Sequence, residues 1–460
     1  MKSEARLVRG RRLRVVAAFA VLVASSAGVP AGAASSPRAA CERPVFVPGQ
    51  GWSCPAPGGW TLRMPDGATF FTRGPDYLPT RQALQLDADP LKPSCATAPS
   101  TQFHLRVIYA HADDTSSRYS SLLYEIRKMI EIANGALNDE AKLFGRKLRY
   151  RVYCSGGEVS VTEVRLPMKQ ADATLGSIMA SLREMGYSNP FAKYMVWFDG
   201  TRGALGGIAT IVLDDSASAS NGNNLGAQYA VAFGRRLNDP GGSGPLIFMH
   251  EGSHSMGAVQ LSAPNTTGGG HCIDGLDVMC YPDDGPLRDL YSDTRCSTVR
   301  FDCGHDDYFH PNPTAGSYLA THWNIGSPVN RFVAGCAYAT GVLTVGAGGQ
   351  ELEGTTSKTF AISSTCAGRR FAVSGVFALP PQQVTDAGVP WDGLGPGSPS
   401  LVTVQSTVTP DMDVCFLKGT VVLSCAQEIG TDQGKIPSGT TGARVVLKAG
   451  AQALWVFNAI

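Results

Sequence analysis

The octapeptide His250-Glu251-Gly252-Ser253-His254-Ser255-Met256-Gly257 constrains this chain more than any other stretch. Its spacing, H-E-x-x-H-x-x-G, asks for a helix, because positions i and i+4 share one face about 6 Å apart along the axis. Two imidazoles so placed can reach one zinc ion, each nitrogen at about 2.0 Å. Glu251 then stands beside the ion, free to take a proton from a water molecule. The run Gly244-Pro245-Leu246-Ile247-Phe248-Met249 supports the helix, since Pro suits the first helical position. Gly257 suits the left-handed residue that ends it. The plainer alternative is a buried helix whose histidines satisfy core polar groups. With eight histidines in 460 residues, an accidental match to this spacing is rare, and a metal is favoured.

The ends place the chain outside the cell. Lys2, Arg6, Arg9, Arg11, Arg12 and Arg14 precede an apolar run from Val15 to Val23, and Ala31-Gly32-Ala33 offers a cleavage site. Residues 1–34 therefore read as a signal peptide, and the apolar run is too short to span a bilayer. No second long apolar segment follows, so a secreted, extracellular protein without membrane insertion is expected. Charge is nearly balanced, 39 Lys and Arg against 38 Asp and Glu, so nothing points to nucleic acid. Twelve cysteines in an exported chain read as six disulfides in local sets. The sets are Cys41 with Cys54, Cys95 with Cys154, the foursome Cys272, Cys280, Cys296 and Cys303, Cys336 with Cys366, and Cys415 with Cys425. Cysteine ligands for a second zinc are the weaker alternative.

Periodicity then divides the chain. Residues 35–100 are rich in Pro, Gly and aromatics and read as a loop-rich N-terminal segment, either a structural flap or a removed propeptide. From 101 to 335 an α/β pattern follows: strands at Phe103–Tyr109, Leu148–Tyr153, Val159–Leu166, Lys193–Phe198, Ile208–Leu213 behind Gly206-Gly207, and Gln228–Phe233. Helices are expected at Arg118–Phe144, Ala173–Met185 and about the metal motif. Residues 336–460 carry short strands separated by turns, including Leu401–Val404, with a Pro/Gly-rich loop from Pro380 to Pro399. This texture predicts an all-β C-terminal sandwich, an accessory module whose ligand is undetermined.

The motif at 250–257, together with Asp277-Val278-Met279-Cys280-Tyr281, resembles the metzincin zinc endopeptidases and their Met-turn. The resemblance covers a local stretch. It implies an α/β (α+β) metzincin-like zinc protease domain, with His250 and His254 as ligands, Glu251 as general base, Gly257 as the turn and Met279 as the Met-turn residue. It also implies that Tyr281 contacts the metal or the transition-state oxyanion. In one respect the chain departs from the pattern. Gln260 stands where the clan has its third histidine, and Gln is a poor zinc ligand. His271, eight residues before Met279, is the candidate replacement, with Leu261–Gly270 as an insertion before it. Asp274 and Asp277 are rivals, since carboxylates also bind zinc, and Asp277 could instead orient a ligand.

Other polar clusters carry less. Gly304-His305-Asp306-Asp307 could hold Ca2+ or a second metal, but such a stretch is more often a solvated loop. His322-Trp323-Asn324 reads as packing and hydrogen bonding, and His104 and His111 as local to one strand. Ser253 and His254 lie inside the metal motif without a G-x-S-x-G around them.

The resulting expectation is a secreted zinc endopeptidase, a hydrolase acting on a protein or peptide substrate with metal-activated water. An extended substrate would pair along the strand near 208–213, as the resemblance suggests. The rival expectation is a secreted binding or adhesion protein whose zinc only stabilises the fold. An intact Glu251 favours catalysis, because a structural site has no need of it.

Overall fold

The computed structural model describes residues 41, 43–77, 86, 88–200, 205–234, 243–273, 276–280, 296, 298–344, 357–378, 411–427, 431–449 and 452–460. Residues Ser36–Ile460 form one compact unit. The leader at 1–34, Asp274, Tyr281, the strand expected at Leu401–Val404 and the loop from Pro380 to Pro399 lie outside the described residues. Among the described residues, no helix is long and apolar enough to cross a membrane.

The N-terminal stretch differs from its loop-rich reading. It forms β1 (Val45–Val47), β2 (Gly51–Ala56), β3 (Gly59–Arg63) and β4 (Thr69–Thr72), an antiparallel meander, followed by β5 (Asp76–Tyr77) and β6 (Ser94–Ala96). The glycines that blurred the strand signal make its hairpin turns. Gly58 and Gly67 sit at φ 70° and 87°, where a side chain would be strained.

The next elements follow the periodicities. They are β7 (His104–Ala112), α1 (Tyr119–Lys142), β8 (Arg149–Ser155), β9 (Glu158–Val159), β10 (Val161–Leu166), α2 (Leu175–Glu184), β11 (Ala192–Phe198), β12 (Leu205–Ile211), β13 (Gln228–Phe233) and α3 (Ser243–Ser255). His104 and His111 both lie within β7, and Gly206-Gly207 lies inside β12 rather than before it. An irregular stretch leads through α4 (Tyr318–Thr321) to β14 (Val333–Ala334).

These strands join one 14-stranded sheet with the order β1-β2-β3-β4-β12-β13-β11-β7-β8-β14 along its main path. β7, β11 and β13 run parallel, and β12 runs antiparallel beside β13. The central strands alternate between two apolar faces. Leu105, Val107, Met195, Trp197, Ala230 and Ala232 join the core of α1 and α3. Ile108, Ala110, Tyr194, Val196, Tyr229 and Val231 join the core of α2 and the N-terminal meander. Burial of both faces is why β11 reads as a continuous apolar run.

The C-terminal part comprises β15 (Ala337–Thr344), β16 (Ser357–Ala361), β17 (Arg370–Ala378), β18 (Asp411–Lys418), β19 (Val421–Ala426), β20 (Thr431–Lys435), β21 (Gly442–Ala449) and β22 (Gln452–Ala459). All eight belong to one hydrogen-bonded sheet, where the sequence suggests two. β18 and β20 are joined through a single residue pair, Met412 with Thr431. The halves on either side share one core, with Phe371 and Phe416 ring centroids 4.8 Å apart. β22 is buried on both sides. Trp455 and Phe457 enter this core, whereas Leu454 and Val456 enter the core of α1 and α3. The tail is thereby packed onto the α/β part.

All twelve cysteines pair. The foursome resolves into Cys272–Cys280 and Cys296–Cys303, and the other four bridges follow the local sets. The cysteine-zinc alternative is thereby removed among the described residues.

Candidate metal centre

Every residue of α3 is buried. A helix buried on every side is a core helix, and this one packs against α1, β12 and β13. Its end is built for a sharp exit. Gly257 takes φ 86°, its N–H donates to His254 O (2.9 Å), and Ala258 N–H reaches back to Ser253 O (2.9 Å), a Schellman cap. Trp323 Nε1 donates to Met256 O at 2.7 Å, which gives the His322-Trp323-Asn324 stretch its role in seating the helix. Gln260 is spent on this exit too. Its Nε2 donates to Gly257 O (3.0 Å) and Val212 O (3.1 Å), away from the histidines.

His250, His254 and His271 converge. Their Nε2 atoms form a triangle with sides of 3.2, 3.2 and 3.3 Å. Ligand atoms about 2.0–2.1 Å from a tetrahedral ion stand roughly 3.3–3.4 Å from one another, so the triangle has the size of one face of a zinc site. Three imidazole nitrogens aimed at a common point repel unless a cation or a proton separates them. Burial, and then His250, hold the His254 imidazole well below its ordinary pKa, which disfavours protonation. His250 Nδ1–H donates to Val278 O at 2.7 Å, which leaves its Nε2 lone pair for a metal.

The loop that carries His271 is tied to the Met279 turn. Cys272–Cys280 bridges them, and Cys272 N–H donates to Met279 O at 3.2 Å. Asp277, a rival ligand from sequence, does not join the triangle. Its carboxylate accepts from Met279 N (2.7 Å), Cys303 N (2.9 Å) and Tyr308 OH (2.5 Å). It therefore fixes the turn whose Val278 carbonyl orients His250. Burial, and then the nearby Asp302, push its pKa well above the usual carboxylate range. Met279 is fully buried in the same core.

Glu251 is completely buried, and its carboxyl group faces that of Asp76. A carboxylate left so costs several kcal/mol if charged, and burial, followed by Asp76, pushes its pKa well above its ordinary value. It lies against β12, where a Cβ on Gly207 would overlap the Glu251 carboxylate. Gly207 is thus the space that lets Glu251 in.

One site residue has no signal in the sequence pattern. Asp76, on β5, places its carboxylate at the fourth corner, with oxygens 3.5 Å from His250 Nε2, 3.6 Å from His254 Nε2 and 3.3 Å from His271 Nε2. Burial opposes its charge, but His271 and His250 hold its carboxyl well below the usual range. Asp76, His250, His254 and His271 are all buried and could hold one metal ion. The Gly304–Asp307 stretch does not converge in this way. Asp307 and Asp306 face Asn265, and Asp302 accepts from the Tyr308 and Phe309 amides. His305 instead lies 3.4 Å from Glu140.

No protein-family model matches the chain, and no curated protein sequence matches it. Among solved structures, wild-type OgpA from Akkermansia muciniphila matches over 77% of this chain and 87% of its own, at 12% identity and a TM-score of 0.22. A catalytically inactive OgpA in complex with an O-glycopeptide substrate, glycodrosocin, matches over the same shares at 11% identity and a TM-score of 0.22. The C-terminal lobe of a budding yeast Argonaute matches over 43% of this chain and 39% of that one, at 9% identity and a TM-score of 0.17. Likenesses at these TM-scores carry no argument about activity, so the site alone must.

Proposed function

We propose that this chain is a secreted, metzincin-like, zinc-dependent endopeptidase that hydrolyses peptide bonds of a protein or peptide substrate. The observation that carries this reading is the Nε2 triangle beside a fully buried Glu251. A zinc ion held by His250, His254 and His271 supplies Lewis acidity toward a carbonyl oxygen and toward water. Glu251 would take a proton from the attacking water and deliver it to the leaving amide nitrogen. Val278 O holds His250 in the metal-binding tautomer, and Asp277 holds Val278 in place. Gly207 leaves room for Glu251 on β12, the strand along which an extended substrate would pair. Tyr281 is proposed as an oxyanion contact on the strength of the motif alone. Six disulfides and the basic-apolar leader support export.

A second reading is favoured by Asp76. Four protein ligands close a site, and closed sites are characteristic of structural zinc. In that case the chain is a binding protein whose metal only holds the fold. The buried Glu251 weighs against it, because a second buried acid beside Asp76 opposes the charged form of both, a cost that a purely structural site has no need to bear.

The test compares Asp76→Ala with Asp76→Ala/Glu251→Ala, measuring zinc content and cleavage of denatured casein. The endopeptidase reading expects one zinc per chain in both and cleavage only where Glu251 remains. Loss of zinc and of folding on Asp76→Ala, with no cleavage, would establish the structural reading instead.

A further inference from the structure

We infer that Asp302, Asp306, Asp307 and Asn265 form a second metal site, one that takes Ca2+ and ties the loop leading to His271 to the stretch behind the Met279 turn. The site is separate from the imidazole centre, and the inference does not rest on the endopeptidase reading.

Three carboxylates are gathered in the short stretch from Asp302 to Asp307. Asp302 is 0% exposed and Asp307 1% exposed, whereas Asp306 is half-buried and gives an ion a way in. The Asp302 carboxylate is only half used. Its Oδ2 accepts from Tyr308 N (3.0 Å) and Phe309 N (2.7 Å), but Oδ1 is buried without a hydrogen-bond partner. The charged groups that bear on Asp302 are Asp307 and Asp306, and both oppose its own charge. A buried carboxylate so placed is costly unless a cation joins it. A proton on Oδ1 would remove the charge, yet it would leave a buried O–H with nothing to donate to. A metal ion answers both needs.

Asn265 closes the group from the other loop. Its N–H donates to Asp307 Oδ1 at 2.8 Å. Its side-chain Nδ2 faces Asp306 Oδ1 and Oδ2 at 3.4 Å each, and Asp307 Oδ2 at 3.2 Å. These separations are long for hydrogen bonds. They are close to the spacing of neighbouring oxygens around one Ca2+, about 3–3.5 Å for bonds of about 2.3–2.6 Å. A half-turn of the carboxamide puts Oδ1 in the place of Nδ2 and adds a fourth oxygen-bearing side chain. All the donors are oxygens carried on loops. That suits Ca2+, which takes six to eight oxygens in flexible geometry, carbonyls and water included, better than Mg2+ or zinc. Such a shell does not require four side-chain atoms at one tight corner, as the imidazole centre does.

The placement gives the ion a role. Asn265 O accepts from Ile273 N at 3.0 Å, just past His271, and Cys303, next to Asp302, donates its N–H to Asp277. Ca2+ here braces the His271 loop and the turn that orients His250 together.

The test titrates Ca2+ by calorimetry into the zinc-loaded full chain and its Asp302→Asn and Asp306→Asn variants. Urea unfolding of each is then compared without Ca2+ and at about 10 mM, above the Kd of typical extracellular sites. Asp302→Asn keeps an oxygen for the Tyr308 and Phe309 amides, so the loop holds its shape. The expected result is one Ca2+ per wild-type chain with Kd of about 10⁻⁴–10⁻³ M, and binding about tenfold weaker or more in both variants. Ca2+ should also lower the wild-type unfolding constant about 10–100-fold, and that of the variants less. A folded wild type that binds no Ca2+ would overturn the site. Equal binding by wild type and both variants would put the ion elsewhere and overturn it too. Should Asp302→Asn not fold, the half-buried Asp306→Asn decides by the same comparison.

Discussion

The four groups around the candidate metal are held in two different ways. His250 and His254 stand on a helix buried at every position, capped by Gly257 and Trp323, and His271 stands on a loop cross-linked to the Met279 turn. Asp76 reaches the same point from a two-residue strand on the outer side of β12. The geometry around the ion is nearly the same for all four, and the support behind it is not. The three imidazoles are built on a buried helix and a cross-linked loop, whereas the carboxylate is supplied by a short strand paired to β12.

The largest effect that would sharpen this contrast is on the helix side. Glu251→Ala, in an Asp76→Ala background, should keep zinc and lose about 10²–10⁴-fold in turnover, read from peptide cleavage beside metal analysis. Gly207→Ala comes next. Its new methyl overlaps the Glu251 carboxylate, so about 100-fold should be lost from turnover while zinc stays bound. Full turnover in this variant would mean that Glu251 is not held against β12. Asp277→Asn disturbs the turn that orients His250 and should weaken zinc binding about 10–100-fold, as measured by competition with a chelator.

A smaller effect concerns the sheet beneath the site. His104 is buried on β7, donates Nδ1–H to Gln102 O (2.7 Å) and leaves Nε2 without a partner. Burial lowers its pKa to about 3. The unfolded chain therefore binds this proton more readily, and the folded state keeps its full advantage above about pH 6.5. That advantage should fall by about 1.4 kcal/mol per pH unit as pH drops from about 6.5 toward 3. Urea unfolding at pH 7, 5 and 4 should show this slope reduced in His104→Asn, and an unchanged slope would remove His104 from the account. The smallest effect lies at Arg73. Arg73→Ala removes one hydrogen bond to the loop that leads to His271 and should lower stability by about 1–1.5 kcal/mol, read from urea unfolding at pH 7. Unchanged stability would mean that this bond does not help to hold the loop.

Much of the α/β part is legible because its signals are local. The i, i+4 apolar stripe of α1 and the alternation in β7 and β8 are fixed by which faces meet a core. The histidine pair is legible for the same reason, since one helix sets its spacing. His271 is less so, because what places it is a disulfide and a turn rather than a periodicity. Asp76 is illegible. It lies 174 positions before His250 in the numbering, 250 minus 76, and reaches the site only through β4, β5 and β12, pairings that no local pattern encodes. The meander around it was hidden by its own Gly and Pro residues, which read as loop but serve as hairpin turns. The C-terminal strands were visible one by one, but β20, with Gly434 inside a polar run, was not, nor was the burial of β22 on both faces.

The central claim is a zinc ion held by three imidazoles, and X-ray absorption at the zinc edge on the purified full chain tests it most directly. The account predicts one zinc per chain with three nitrogen ligands and one oxygen at about 2.0–2.1 Å. A chain that takes up no zinc, or a zinc shell with sulfur at about 2.3 Å, would contradict it.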